Sequence, residues 1–183
     1  MKVKLLLGIA LAATLAVVSG CTNKQSQSES PVSITVDLPN QSGLTVIVPA
    51  RTLTIPTMTL TSHLKDRTSL DPNHFADVQV GTYTVTYRRA DGGTLVPPVQ
   101  TFAAGGLLPS DGTLTLTDFP VLSQTAMAGT PFDQLLPFNG GIDRETGSTE
   151  IRMFYDITFF GTTVSGKRVQ SETVTAVQIF VAQ

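Results

Sequence analysis

Few residues in this chain have the chemistry to act as nucleophile, base or metal ligand. It has one cysteine, Cys21, and two histidines, His63 and His74. Serines are plentiful, but none sits in the G-x-S-x-G turn that exposes a hydrolase nucleophile. The string Thr163-Val164-Ser165-Gly166-Lys167 lacks the first glycine of a phosphate-binding loop and reads as a hairpin tip. The histidines lie eleven residues apart, which matches no helical or zinc-finger spacing. With Asp66, Asp71 and Asp77 in the same stretch, they make one weak set of metal ligands. A second set is Asp143, Glu145 and Glu150 in the run NGGIDRETGSTE. Arg144 separates the first two acids, and a calcium loop needs more oxygens at fixed spacing. The candidate ligands are therefore His63, His74, Asp143 and Glu145. The plainer expectation is polar loops with no catalytic residue and no cofactor.

Cys21 stands apart because of what precedes it. Lys2 and Lys4 give a short positive start, and Leu5 through Val18 are apolar or uncharged. This run is shorter than the roughly 20 residues of a spanning helix and has the form of an export-signal core. Ser19 and Gly20 follow, small enough for a peptidase cleft. Val18-Ser19-Gly20-Cys21 resembles the lipobox of bacterial lipoproteins, with valine in place of the usual leucine. The resemblance implies that the Cys21 sulfur takes a diacylglyceryl group and that cleavage makes Cys21 the new N-terminus. A thiolate is the nucleophile such a transfer requires. Several acyl chains on one residue would hold it firmly, at about 0.8 kcal/mol per buried methylene. The tract Thr22 to Ser30 is polar and without apolar periodicity, as a tether standing off a membrane would be. By analogy with Gram-negative sorting, Thr22 after the cysteine points to the outer membrane.

The expected organisation is a signal peptide over 1–20, a lipidated cysteine and tether over 21–30, and one domain over 31–183. A domain of this size can bury enough apolar surface to fold without disulfides or a structural metal. Its only cysteine is committed to the anchor, so no internal disulfide is available. The formal charge is −2 for the whole chain, only 14% of residues are charged, and no basic stripe exists. That excludes the electrostatic footprint of a nucleic-acid binder.

The elements that must position any site are strands. Ile34, Val36 and Leu38 alternate with polar residues, as do Leu44, Val46 and Val48. Tyr83, Val85 and Tyr87 alternate with threonines, and Leu114 and Leu116 sit between threonines. Tyr155, Ile157 and Phe159 repeat the pattern, and Val177, Ile179 and Val181 close the chain. This period of two, in Thr and Val, is that of half-buried strands. Turns are predicted at Pro39-Asn40, Asp91-Gly92-Gly93, Pro109-Ser110-Asp111-Gly112 and Ser165-Gly166. A terminal hairpin should turn near Thr163 to Gly166. Single helical turns fit within His63–Phe75 and Ser123–Leu136. Pro97-Pro98 and Pro120 mark an edge or crossover, since proline cannot donate to a ladder. Such an edge is either protected or offered to a partner strand.

Seven to nine such strands predict an all-β, antiparallel sandwich, with a closed barrel as the alternative. The mature chain also resembles small bacterial envelope lipoproteins with an immunoglobulin- or fibronectin-like sandwich. The likeness is carried by YTVTYRRADGG (83–93), LTLTDFPVL (114–122), NGGIDRETG (139–147) and ITFFGTTVSGKRV (157–169). It implies a fold and assigns no catalytic residue. The functional expectation is a non-enzymatic envelope module, held on the membrane by lipid and contacting an envelope protein or polysaccharide. The alternative is a lipoprotein that binds a small ligand or metal.

Overall fold

The computed structural model describes residues 30–39, 42–48, 51–66 and 74–182. The signal segment, Cys21 and the tether before Ser30 lie outside these residues, as does Asp71. Nine strands form: β1 (Val32–Asp37), β2 (Ser42–Val48), β3 (Leu53–Leu64), β4 (Val78–Arg89), β5 (Gln100–Leu108), β6 (Thr113–Leu122), β7 (Glu150–Thr163), β8 (Arg168–Gln170) and β9 (Val174–Ala182). They make two sheets that face each other, one ordered β1-β3-β6 and the other β2-β9-β7-β4-β5, with β8 also paired to β7. The predicted sandwich is thus the observed architecture. One pair departs from the antiparallel expectation: β2 runs parallel to β9.

The alternation seen in the sequence decides which side chains fill the space between the sheets. Tyr83, Val85 and Tyr87 of β4 lie beside Phe159, Ile157 and Tyr155 of the adjacent β7 on the inner face of the larger sheet, all buried. Tyr83 stacks on Phe102 at 5.3 Å and meets Phe119 edge-on at 5.2 Å, so aromatic rings from both sheets interlock. Two hydroxyls cross the core. The Tyr83 hydroxyl donates to the Pro120 carbonyl and the Tyr87 hydroxyl to the Val121 carbonyl, both on β6. A second aromatic group joins Tyr155, Phe180 and Phe132, with Phe132 and Phe180 centroids 4.3 Å apart.

In β9 the buried phase is the opposite of the one read from sequence. Ala176, Gln178 and Phe180 face the core, and Val177, Ile179 and Val181 are only half-buried on the outer face. Both phases of that strand are mostly apolar, so periodicity alone could not choose. Phe180 chooses, because its ring fills the space beside Phe132 and Tyr155.

Where they are described, the connections follow their turn residues; Asn40 and residues 67–73, where a turn and a single helical turn are expected, lie outside the described residues, and His63 and Leu64 belong to β3. Gly92 and Gly166 adopt positive φ at the expected turns. The terminal hairpin turns where predicted, with the Thr163 amide donating to the Lys167 carbonyl and Gly166 to Thr163. Ser123 caps a one-turn helix, α1 (Gln124–Met127), by accepting from the Ala126 amide. Two short 3-10 turns follow at Phe132–Leu135 and Pro137–Asn139.

The two long sides of the sandwich differ. On one, β1 is stitched across to the opposite sheet: Ile34 bridges Ser171, and the Glu172 amide donates to the Ile34 carbonyl. On the other, β5 and β6 are the end strands of their sheets, and β5 pairs with β4 alone.

Candidate functional site: a buried arginine clasp

β4 carries its inward phase one step beyond the tyrosines. Positions 83, 85 and 87 face the core, and position 89 is arginine. Its side chain is 1% exposed, whereas the neighbouring Arg88 points outward and is 58% exposed. An arginine cannot lose its charge, so burial demands acidic partners. Asp91, two residues on, supplies a fork: Arg89 Nε donates to Oδ1 at 2.7 Å and Nη2 to Oδ2 at 2.9 Å. Asp143, buried and distant in sequence, accepts from Nη2 at 2.7 Å. Glu145 lies 3.6 Å from Nη1.

Each acid also binds backbone. Asp91 accepts from the Gly93 amide at 3.2 Å and from the Arg152 amide at 2.8 Å, tying the turn to β7. Asp143 Oδ2 accepts from the Thr146 hydroxyl at 2.6 Å and from its amide at 3.2 Å. Glu145 accepts from the amides of Thr94 and Leu95, each at 2.8 Å, and from the Thr94 hydroxyl. The arrangement clasps the loop after β4 to the loop before β7. Burial pushes Asp143 and Asp91 up, but hydrogen bonds and charge from Arg89 outweigh it and hold both below the usual carboxylate range. Glu145 is lowered by the Leu95 and Thr94 hydrogen bonds, with Arg89 adding to them.

This geometry answers where the proposed metal ligands go. Asp143 and Glu145 do come together, but around a guanidinium: the cation between them is Arg89. His63 sits on β3, its Nε2 3.3 Å from the Thr35 hydroxyl on β1. His74 lies in the loop before β4, exposed, with Nδ1 3.3 Å from Asp77. That places the two histidines with different partners, away from the clasp. Among the described residues no group of three His, Cys, Asp or Glu side chains is arranged to hold a metal ion. Asp77 is buried and does structural work at the start of β4. It accepts from the Ser110 amide at 2.8 Å, while its carbonyl accepts from Val164. Burial raises its pKa, and the Ser110 and His74 contacts bring it below the ordinary value.

What the clasp can do chemically is fix a surface. The loops it holds display Leu95, Val96 and Ile142 to solvent, and Val99 and Phe138 on adjoining segments are exposed as well. The outer face of the larger sheet carries an ion pair beside its half-buried apolar residues. Arg88 pairs with Asp156 at 2.5 and 3.0 Å, and Thr175 donates to the same carboxylate. The sequence marks Asp143 and Glu145 as candidate ligands and Asp91 as the start of a turn, but not Arg89. The missed signal was the strand phase itself, which places Arg89 on the buried face.

Compared with known proteins, the chain matches no family model and no curated protein.

Proposed function

We propose that this chain is a lipid-anchored, non-enzymatic module of the bacterial cell envelope, whose sandwich presents its loops and edges to another envelope protein or to polysaccharide. The observation that carries the reading is Val18-Ser19-Gly20-Cys21 directly after an apolar run behind two lysines. The two-sheet body is in keeping with the immunoglobulin- or fibronectin-like architecture that the sequence resembles. The clasp supports the reading from another direction. Arg89, Asp91, Asp143 and Glu145 are the charged groups best gathered for chemistry, and apart from the buried Asp143 Oδ1 they are taken up in binding one another and nearby loop groups. The apolar side chains on the loops they fix suit contact with a partner better than catalysis.

The test is the mass and location of the processed protein. Expressed in a bacterial host, the chain should begin at Cys21, carry diacylglyceryl and acyl groups, and sediment with outer-membrane fractions. Cys21→Ala should release it from membranes. An unmodified N-terminus, or full membrane retention of that variant, would overturn the proposal.

A further inference from the structure

The open side of the sandwich is a trough. One part lies between β5 and β6, walled by Ala103, Ala104 and Gly105 on one side and Thr115 to Pro120 on the other, with Tyr83 and Phe119 at its base. A second part continues along the start of β5, between Pro98–Phe102 and the segment Ser123–Thr130. The Gln100 side chain, accepting from the Ser123 amide at 3.0 Å, spans the two walls. Both hollows flank the same free edge, that of β5. At the far end the walls close, because Gly106 lies so near Leu114 that a Cβ there would come within 2.7 Å of its side chain.

We propose that this edge takes an extended segment of a partner protein as an added strand. The chemistry is that of an end strand, whose outward amides and carbonyls lack a neighbouring strand among the described residues. Protected edges carry charge, proline or a bulge, and Val99–Ala103 has none of the three. Two residues of β5, Ala104 and Gly105, stand opposite Gly81 alone, a bulge that ends regular pairing. The added strand therefore runs along Val99–Ala103, roughly 17 Å of chain. Its alternate side chains drop towards Phe102 and Tyr83.

The hollow shape selects a foreign strand over a second copy of this chain. A two-fold contact needs a surface that complements itself, and two recessed edges cannot fill each other. Charge narrows the occupant further. Among the described residues Asp118 is the one charged residue lining either hollow, and it forms no ion pair with them. It is exposed, with φ of 50°, opposite Pro56, which has no amide proton to offer it a ladder partner. The partner segment is uncharged and small or apolar along β5, with a lysine or arginine where it passes Asp118. This names the partner class for the envelope module proposed above and rests on that reading only for its setting.

The experiment uses the processed full chain in detergent micelles and a displayed library of random octapeptides. Enriched peptides should share alternating apolar positions and one basic residue, and should slow hydrogen exchange at amides of the Val99–Ala103 stretch. N-methylating one backbone nitrogen of an enriched peptide should weaken it about tenfold, the cost of a lost hydrogen bond. Asp118→Lys should weaken it about threefold, as loss of an exposed ion pair does, with unchanged thermal unfolding. Failure to enrich any peptide overturns the inference. So do protection elsewhere on the molecule, indifference to N-methylation, and a concentration-dependent dimer that buries β5. None of these outcomes bears on whether Cys21 is lipidated, so the two proposals fail separately.

Discussion

Arg89 and Asp143 are separated by 54 residues in the chain and joined by a 2.7 Å hydrogen bond between side chains that are 1% and 0% exposed. The pair ties the end of β4 to the loop before β7, and it determines how those two loops sit. A buried charge is tolerable only while its partner remains. Arg89→Met would leave Asp143 charged in an enclosed site, at a cost of about 3–5 kcal/mol. Asp143→Leu should cost less, because Asp91 still holds the fork on Arg89. Denaturant unfolding of both single variants and the double variant checks this. The double variant should recover part of the loss, with a coupling of about 1–3 kcal/mol. Simple addition of the two losses would mean that the contact carries no energy.

Acid should loosen the same region. Asp91, Asp143 and Glu145 all have folded-state pKa values below their ordinary ones. For a lowered carboxylate, the stabilisation is fully present above the unfolded value, near 4, and is lost as pH falls through the folded value. Stability should therefore hold level from pH 7 to about 5 and decline below about pH 4. Denaturant midpoints at pH 7, 5, 4 and 3 measure this. In Asp143→Asn the decline should be shallower, because one of the titrating groups is gone.

β4 shows why part of this was legible beforehand and part was not. Alternation through Tyr83, Val85 and Tyr87 predicts an inward Arg89 and an outward Arg88, and that is the arrangement found. In β7 the same rule puts Asp156 outside, where it meets Arg88. The identity of Arg89's distant partner was not legible, because it depends on how a long loop folds back over the sheet end. Periodicity also failed in β9, where Val177, Ile179 and Val181 compete with Ala176, Gln178 and Phe180. Only the shape of the core around Phe132 breaks that tie. Chain order likewise gives no sign that β2 joins β9 in parallel, since that pairing links opposite ends of the domain.

Two glycines in the strands on either side of β4, Gly161 of β7 and Gly105 of β5, should respond oppositely to alanine. At Gly161 a Cβ would lie 2.6 Å from Val78 Cγ1 and 2.8 Å from the Gln79 carbonyl oxygen, so backbone would have to move. Gly161→Ala should destabilise by about 1–3 kcal/mol, as overpacking does. At Gly105 nothing lies within 4 Å of the new atom, and φ is not in the left-handed region. Gly105→Ala should be neutral or gain up to about 1 kcal/mol by restricting the unfolded chain. Thermal unfolding of the two variants side by side reads the difference.

Three buried tyrosines offer a sharper comparison, because only two of their hydroxyls are paired. Tyr83 and Tyr87 donate to the Pro120 and Val121 carbonyls across the core. The Tyr155 hydroxyl, fully enclosed, has no hydrogen-bond partner among the described residues. Burial raises the pKa of all three, so each is a neutral phenol at neutral pH. Replacing a paired buried hydroxyl loses a net bond and leaves a carbonyl unsatisfied, whereas removing an unpaired one relieves a desolvated group. Tyr83→Phe and Tyr87→Phe should each cost about 1 kcal/mol, and Tyr155→Phe should be neutral or stabilising. The ring contacts survive in every variant, since phenylalanine keeps the aromatic face, so the hydroxyl is the only difference measured. A loss in Tyr155→Phe equal to the other two would contradict the assignment of its hydroxyl as unpaired. Equal tolerance of all three changes would mean that the cross-core bonds to β6 contribute nothing to holding the sheets together.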